Sequence, residues 1–69
     1  MDKITSPIAG KIQEINVTVG QTITDDDEAF VIEAMKMETV AYGVAGVVKE
    51  ILVKVGDRVD EEDPLASVE

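Results

Sequence analysis

The sequence contains no cysteine and no histidine, and these two absences exclude several kinds of site. A chain without cysteine forms no disulfide, and a chain without either residue lacks the usual zinc ligands. Ser-His-Asp triads, Cys-His pairs and histidine acid–base groups are excluded for the same reason. We therefore expect no metal site and no catalytic residue, and a domain that is held together by packing alone.

Basic residues are also scarce, with 6 lysines and arginines against 15 aspartates and glutamates and a net charge of −9. This balance argues against nucleic acid and anionic membrane surfaces as partners. No apolar run reaches transmembrane length, and no signal peptide precedes the first strand-like segment. We expect a cytoplasmic, monomeric domain that neither binds nucleic acid nor inserts into a membrane.

Aromatic residues are limited to Phe30 and Tyr42, and valine and isoleucine supply most of the apolar side chains. These β-branched residues favour strands. A length of 69 residues predicts one small domain, residues 1–69. The initial Met1 favours a free-standing protein over an excised domain.

The chain repeats itself at an offset of 36 residues, which places 4–33 on 40–69 without a gap. The repeat combines identities with exchanges of similar apolar residues, as where Val19-Gly20 meets Val55-Gly56. Two copies that fill one small domain predict a fold with a pseudo-two-fold axis. The predicted core is the apolar set shared by both copies: Ile8, Ile12, Ile15, Val17, Ile23 and Ile32 with Val44, Val48, Ile51, Val53, Val59 and Val68.

Each copy has the pattern of four short strands. Apolar residues alternate from Ile15 to Val19, and the alternation shifts by one residue between Ile12 and Ile15 and at the same place in the second copy. Such a shift predicts a β-bulge. We therefore predict an all-β fold, a flattened barrel of two four-stranded antiparallel sheets with internal pseudo-two-fold symmetry.

The segment between the copies, Ala34-Met35-Lys36-Met37-Glu38-Thr39, contains good helix formers. The repeat leaves too few residues here for a helix, and a tight hairpin over 34–39 with Met35-Lys36 or its neighbours at the tip fits better. The tip lacks both glycine and asparagine, so we expect some backbone strain there.

The sequence Glu33-Ala34-Met35-Lys36-Met37-Glu38, at the junction of the two repeats, resembles the biotin-attachment motif of biotin carboxyl carrier domains. The resemblance covers the whole chain. It implies the barrel-sandwich hybrid fold, covalent biotin on Lys36, and flanking recognition residues at Met35 and Met37.

The resemblance also implies a non-catalytic carrier that shuttles carboxyl groups between a biotin carboxylase and a carboxyltransferase or decarboxylase. A biotin protein ligase would attach the cofactor. The alternatives are a lipoyl carrier, which shares the fold but usually has Asp-Lys-Ala around its lysine, a protein that accepts both groups, and an unmodified adaptor. Without the motif, Lys36 would be read as a solvated surface residue and the methionines as core.

Overall fold

The computed structural model describes residues 2–69 and shows an all-β chain in these residues. Met1, the first residue of the predicted domain, lies outside the described residues. The eight strands are β1 (Asp2–Thr5), β2 (Gly10–Ile15), β3 (Thr22–Ile23), β4 (Glu28–Ala34), β5 (Met37–Tyr42), β6 (Gly46–Ile51), β7 (Arg58–Val59) and β8 (Pro64–Val68). None of the described residues forms a helix that could cross a membrane.

The strands form two four-stranded sheets in which every pair is antiparallel. One sheet has the order β1-β8-β6-β3 and the other the order β5-β4-β2-β7. Each sheet therefore contains strands from both halves of the chain. The predicted fold class, two antiparallel four-stranded sheets in a flattened barrel, is confirmed.

The repeat is visible in the hydrogen bonds of the two halves. The amide of Gly20 donates to the carbonyl of Val48, and the amide of Gly56 donates to the carbonyl of Ile12, both at 2.8 Å. The register of β2 on β4 shifts between Ile12 and Glu14, and that of β6 on β8 shifts between Val48 and Glu50. These shifts confirm the predicted bulges in both copies.

The gapless match of Ile4 with Val40 is wrong by one residue. Ile4 pairs with Ala66 in β8, whereas the equivalent partner in β4, Phe30, pairs with Ala41 rather than Val40. The amide of Ser6 donates to Asp63 at 2.9 Å, and its counterpart is the amide of Gly43, which donates to Asp27 at 2.8 Å. The offset is therefore 37 before the Pro7 region and 36 after it, because the first copy has one extra residue there.

All twelve predicted residues belong to the core or pack against it, and the core has further members that were not predicted. Seven of the twelve are buried, and Ile8, Ile15, Val44, Ile51 and Val53 are partly buried and pack against these. The sequence prediction missed six further members of the core: Ile4, Ala29, Phe30, Ala41, Leu65 and Ala66. Most of them lie in β4 and β8, which are inner strands of their sheets and bury consecutive residues rather than alternate ones.

Candidate functional site

The junction of the two halves is a β-hairpin with a two-residue turn. β4 ends at Ala34, β5 begins at Met37, and these two residues are opposite each other in the ladder. Pairing continues without interruption through Glu33 with Glu38 and Ile32 with Thr39. Met35 and Lys36 thus form the tip, as predicted, and the alternative helix is absent from this segment.

Both tip residues have left-handed backbone conformations, with φ of 50° at Met35 and 67° at Lys36. Positive φ at both central residues is the geometry of a type I′ turn, whose twist matches that of the flanking strands. Such turns favour asparagine and glycine because a Cβ atom makes this region unfavourable. The expected backbone strain at the tip is therefore present, and it lies at the lysine itself and at the residue before it.

The turn presents its side chains to solvent. Met35 is 95% exposed and Met37 is 69% exposed, and Lys36 is exposed between them. Among residues 2–69, the only ion pair within 4 Å joins Lys49 to Glu69, so the Lys36 amine is not held by a carboxylate of the described chain. The site therefore offers a free primary amine with an apolar side chain on either side.

The hairpin stands on a fixed base. Two residue pairs below the turn, Ile32 is fully buried in β4, and Phe30 and Ala41 are buried two pairs further along the hairpin. β4 is also hydrogen-bonded to β2 on its other side. Because side chains in such a core occupy defined positions, the base holds the turn in one orientation relative to the domain.

A row of charges crosses the sheet one residue pair below the turn. Across β7, β2, β4 and β5, the residues in register are Arg58, Lys11, Glu33 and Glu38. All four are exposed. The two cations are therefore neighbours on one side of the row, and the two carboxylates are neighbours on the other.

A groove of about 630 Å³ lies between this row and the turn. Its lining includes Met35 and Glu33 from the hairpin, Lys11 from β2, and Arg58 and Asp60 at and beyond β7. The sequence prediction did not single out Lys11, Arg58 or Asp60. The repeat contained a signal for them, because the equivalent positions of the other copy are the uncharged Val47, Thr22 and Thr24.

The acidic segments form the turns before β4 and β8, and the second segment begins at Asp60 in the lining of the groove. The carboxylate of Asp27 accepts a hydrogen bond from the Thr24 amide at 2.9 Å, and that of Asp63 accepts one from the Asp60 amide at 2.8 Å. The described residues bring together no group of three potential metal ligands. One carboxylate of each segment thus caps a turn.

The chain resembles one known protein family and parts of two large carboxylases of known structure. Residues 2–68 match the family model described as "Biotin-requiring enzyme". The chain superposes on the Kluyveromyces lactis urea carboxylase with a TM-score of 0.87 and 32% identity, over 97% of this chain and 6% of the carboxylase. It superposes on a single-chain, multi-domain long-chain acyl-CoA carboxylase with a TM-score of 0.85 and 30% identity, over 94% of this chain and 6% of that one.

Proposed function

This chain belongs to the family of biotin and lipoyl attachment domains, and we propose that it is a biotin carrier with the cofactor in amide linkage to Lys36. In this proposal it serves a biotin-dependent carboxylase or decarboxylase and is not itself catalytic. The observation that carries the proposal is the position of Lys36 at an exposed two-residue turn on a rigid base. The Met-Lys-Met sequence and the likeness to two carboxylases favour biotin over lipoate.

The residues at the turn fit covalent attachment. The Lys36 amine is exposed and unpaired among the described residues, and four methylene groups separate it from the backbone. Its nitrogen would form the amide with an activated biotinyl donor, with loss of the donor's leaving group and of a proton from the amine. A biotin protein ligase would supply that donor and accept the proton.

The domain would position the biotin and would take no part in the carboxyl transfer itself. Biotin supplies a ureido nitrogen that takes up a carboxyl group and gives it up again. The chain fixes the position of the Lys36 backbone, because the turn is held by the buried residues of β4 and β5. Met35 and Met37 would contact the surfaces of the biotin carboxylase and the carboxyltransferase, since a flexible thioether adapts to different partners. A cytoplasmic location is part of the proposal.

The test is the intact mass of the protein after expression with biotin and lipoyl ligases. We expect the added mass of one biotin on the wild-type chain and none on Lys36→Arg, because arginine keeps the charge but does not form the amide. Lys54→Arg is the matched control, since Lys54 is also an exposed lysine next to a turn. It should be biotinylated as the wild type is.

Three results would contradict the proposal. Addition of lipoate alone would identify a lipoyl carrier, and no addition would identify an unmodified protein. Biotin on the Lys36→Arg protein, with circular dichroism showing an unchanged fold, would place the attachment elsewhere.

A further inference from the structure

We propose that the groove beside the attachment turn is a resting site in which the cyclic-urea head of biotin folds back onto its own domain. The inference rests on the proposed attachment of biotin to Lys36. The volume of the groove, about 630 Å³, lies within the range of about 300–1,000 Å³ that is usual for small-molecule sites. Met35, the residue before the attachment point, forms part of its wall.

The lining matches the chemistry of a cyclic urea. The head group has one carbonyl oxygen that accepts hydrogen bonds and two N–H groups that donate them. Lys11 and Arg58 supply donors, whereas Glu33 and Asp60 supply acceptors. Met35 and Val59 add apolar surface for the sulfur-containing ring and the acyl chain.

The internal repeat shows that the fold does not require these charges. At the positions related by the repeat, Val47 corresponds to Lys11, Thr22 to Arg58 and Thr24 to Asp60. The backbone pairing there is the same, since Thr22 is opposite Val47 as Arg58 is opposite Lys11. Of the two symmetry-related sets of positions, only the one beside the attachment turn has charged residues at all three.

The two cations do not stabilise each other, although Lys11 is also opposite Glu33 in β4. Lys11 and Arg58 are directly opposite each other, and like charges in that arrangement are destabilising in a sheet. Neither makes an ion pair within 4 Å in the part of the chain that the structure describes. Their donors are therefore available to a ligand.

The biotinylated side chain of Lys36, here called the arm, is long enough to reach the groove. Lys11 is opposite Glu33, three residues before Lys36, which corresponds to about 10 Å of strand at about 3.3 Å per residue. A lysine side chain joined through an amide to the acyl chain of biotin exceeds this length. The arm would leave the groove when a partner enzyme engages the head group.

The experiment compares the amide ¹H–¹⁵N spectra of the wild-type protein with and without biotin on Lys36, after intact mass has verified each state. We expect loading to shift the amide signals of Gly10, Lys11 and Val59. Their repeat equivalents, Gly46, Val47 and Ile23, provide the internal control and should not move. Shifts confined to residues 34–37 in the loaded protein would overturn the resting site and leave biotin attachment intact.

A variant tests the chemistry by giving the groove the residues of its repeat equivalent. In loaded Lys11→Val/Arg58→Thr, the shift at Gly10 should be lost. The control Lys3→Thr/Lys54→Thr removes the same number of charges away from the groove and should keep that shift. Loss in both variants would attribute the shift to overall charge and contradict the proposal, and failure of the wild type to take up biotin would remove it together with the proposed function.

Discussion

Met35 and Met37 differ from most apolar side chains of this protein in their exposure. At 95% and 69% exposed, they bury little surface in the isolated domain. Substitutions at exposed positions usually change stability by less than about 0.5 kcal/mol, whereas truncation of a buried methionine costs roughly 2–5 kcal/mol. Their apolar surface is therefore available to a partner protein.

We predict that Met35→Ala/Met37→Ala unfolds at nearly the wild-type temperature and is still biotinylated, but carries carboxyl groups more slowly. The reason is that the ligase mainly requires the lysine in its turn, whereas the transfer enzymes lose a contact patch. Thermal unfolding, biotinylation rate and turnover measure the three quantities. A large fall in melting temperature would show that the methionines support the fold, and unchanged turnover would remove their role in transfer.

Among the individual residues, the sequence identified those of the turn but not those that line the groove. Lys36, Met35 and Met37 stood out because they form a contiguous motif. Lys11 is far in sequence from Arg58 and Asp60, and it meets them only because β2 pairs with β7. Comparing the two copies for charges present in only one would have indicated them, since that comparison does not need the structure.

Among the elements, the turn before β8 carries strain that its counterpart before β4 lacks. Glu62 has φ of 70° and its amide donates to the carbonyl of Ser6 at 2.7 Å. In the other copy the equivalent residue, Asp26, has no positive φ, and its amide donates instead to the Thr24 hydroxyl at 3.3 Å. The two turns thus differ in shape although their carboxylate caps are equivalent.

We predict that Glu62→Gly stabilises the domain. A left-handed conformation costs a residue with a Cβ about 1–2 kcal/mol, and the greater freedom of glycine in the unfolded chain offsets roughly 0.5–1 kcal/mol of that gain. Urea unfolding should therefore give a net increase of up to about 1.5 kcal/mol. Asp26→Gly is the matched control and should lower stability, and a loss of stability in both variants would mean that the Glu62 backbone is not strained.

The elements themselves were largely predictable from sequence. The phase shift after Ile12 and Val48 located both bulges, because a side chain on the wrong face of a strand is costly wherever one face is buried. The core of β4 and β8 was underestimated, because alternation identifies one buried face and these strands bury consecutive residues. The one-residue difference near Pro7 was missed because Ile4 and Val40 are similar enough to be aligned, although Ala41 occupies the equivalent place.

For the whole molecule, the net charge of −9 makes stability depend on the salt concentration. Acidic residues cluster at 25–28 and 60–63, and most of these carboxylates are exposed. Repulsion within such a compact chain is reduced when salt shortens the screening length from about 30 Å at 0.01 M to about 8 Å at 0.15 M.

We predict that this increase in sodium chloride raises the melting temperature. A variant with less repulsion, Asp26→Asn/Glu61→Gln, should melt higher than the wild type at low salt and respond less to added salt. Both residues are exposed, and neither side chain makes a hydrogen bond in the described chain. A melting temperature that falls with salt in the wild type would show that attractive pairs outweigh the repulsion.

The exchange of strands between the two halves determines when Lys36 becomes available during synthesis. β4 and β5 share their sheet with β7, and the opposite sheet contains β6 and β8. A nascent chain that has only just passed Lys36 lacks all three of these later strands. The rigid base of the turn therefore forms only after nearly the whole domain has left the ribosome, so Lys36 is held on its turn by the completed domain and not by a shorter nascent segment.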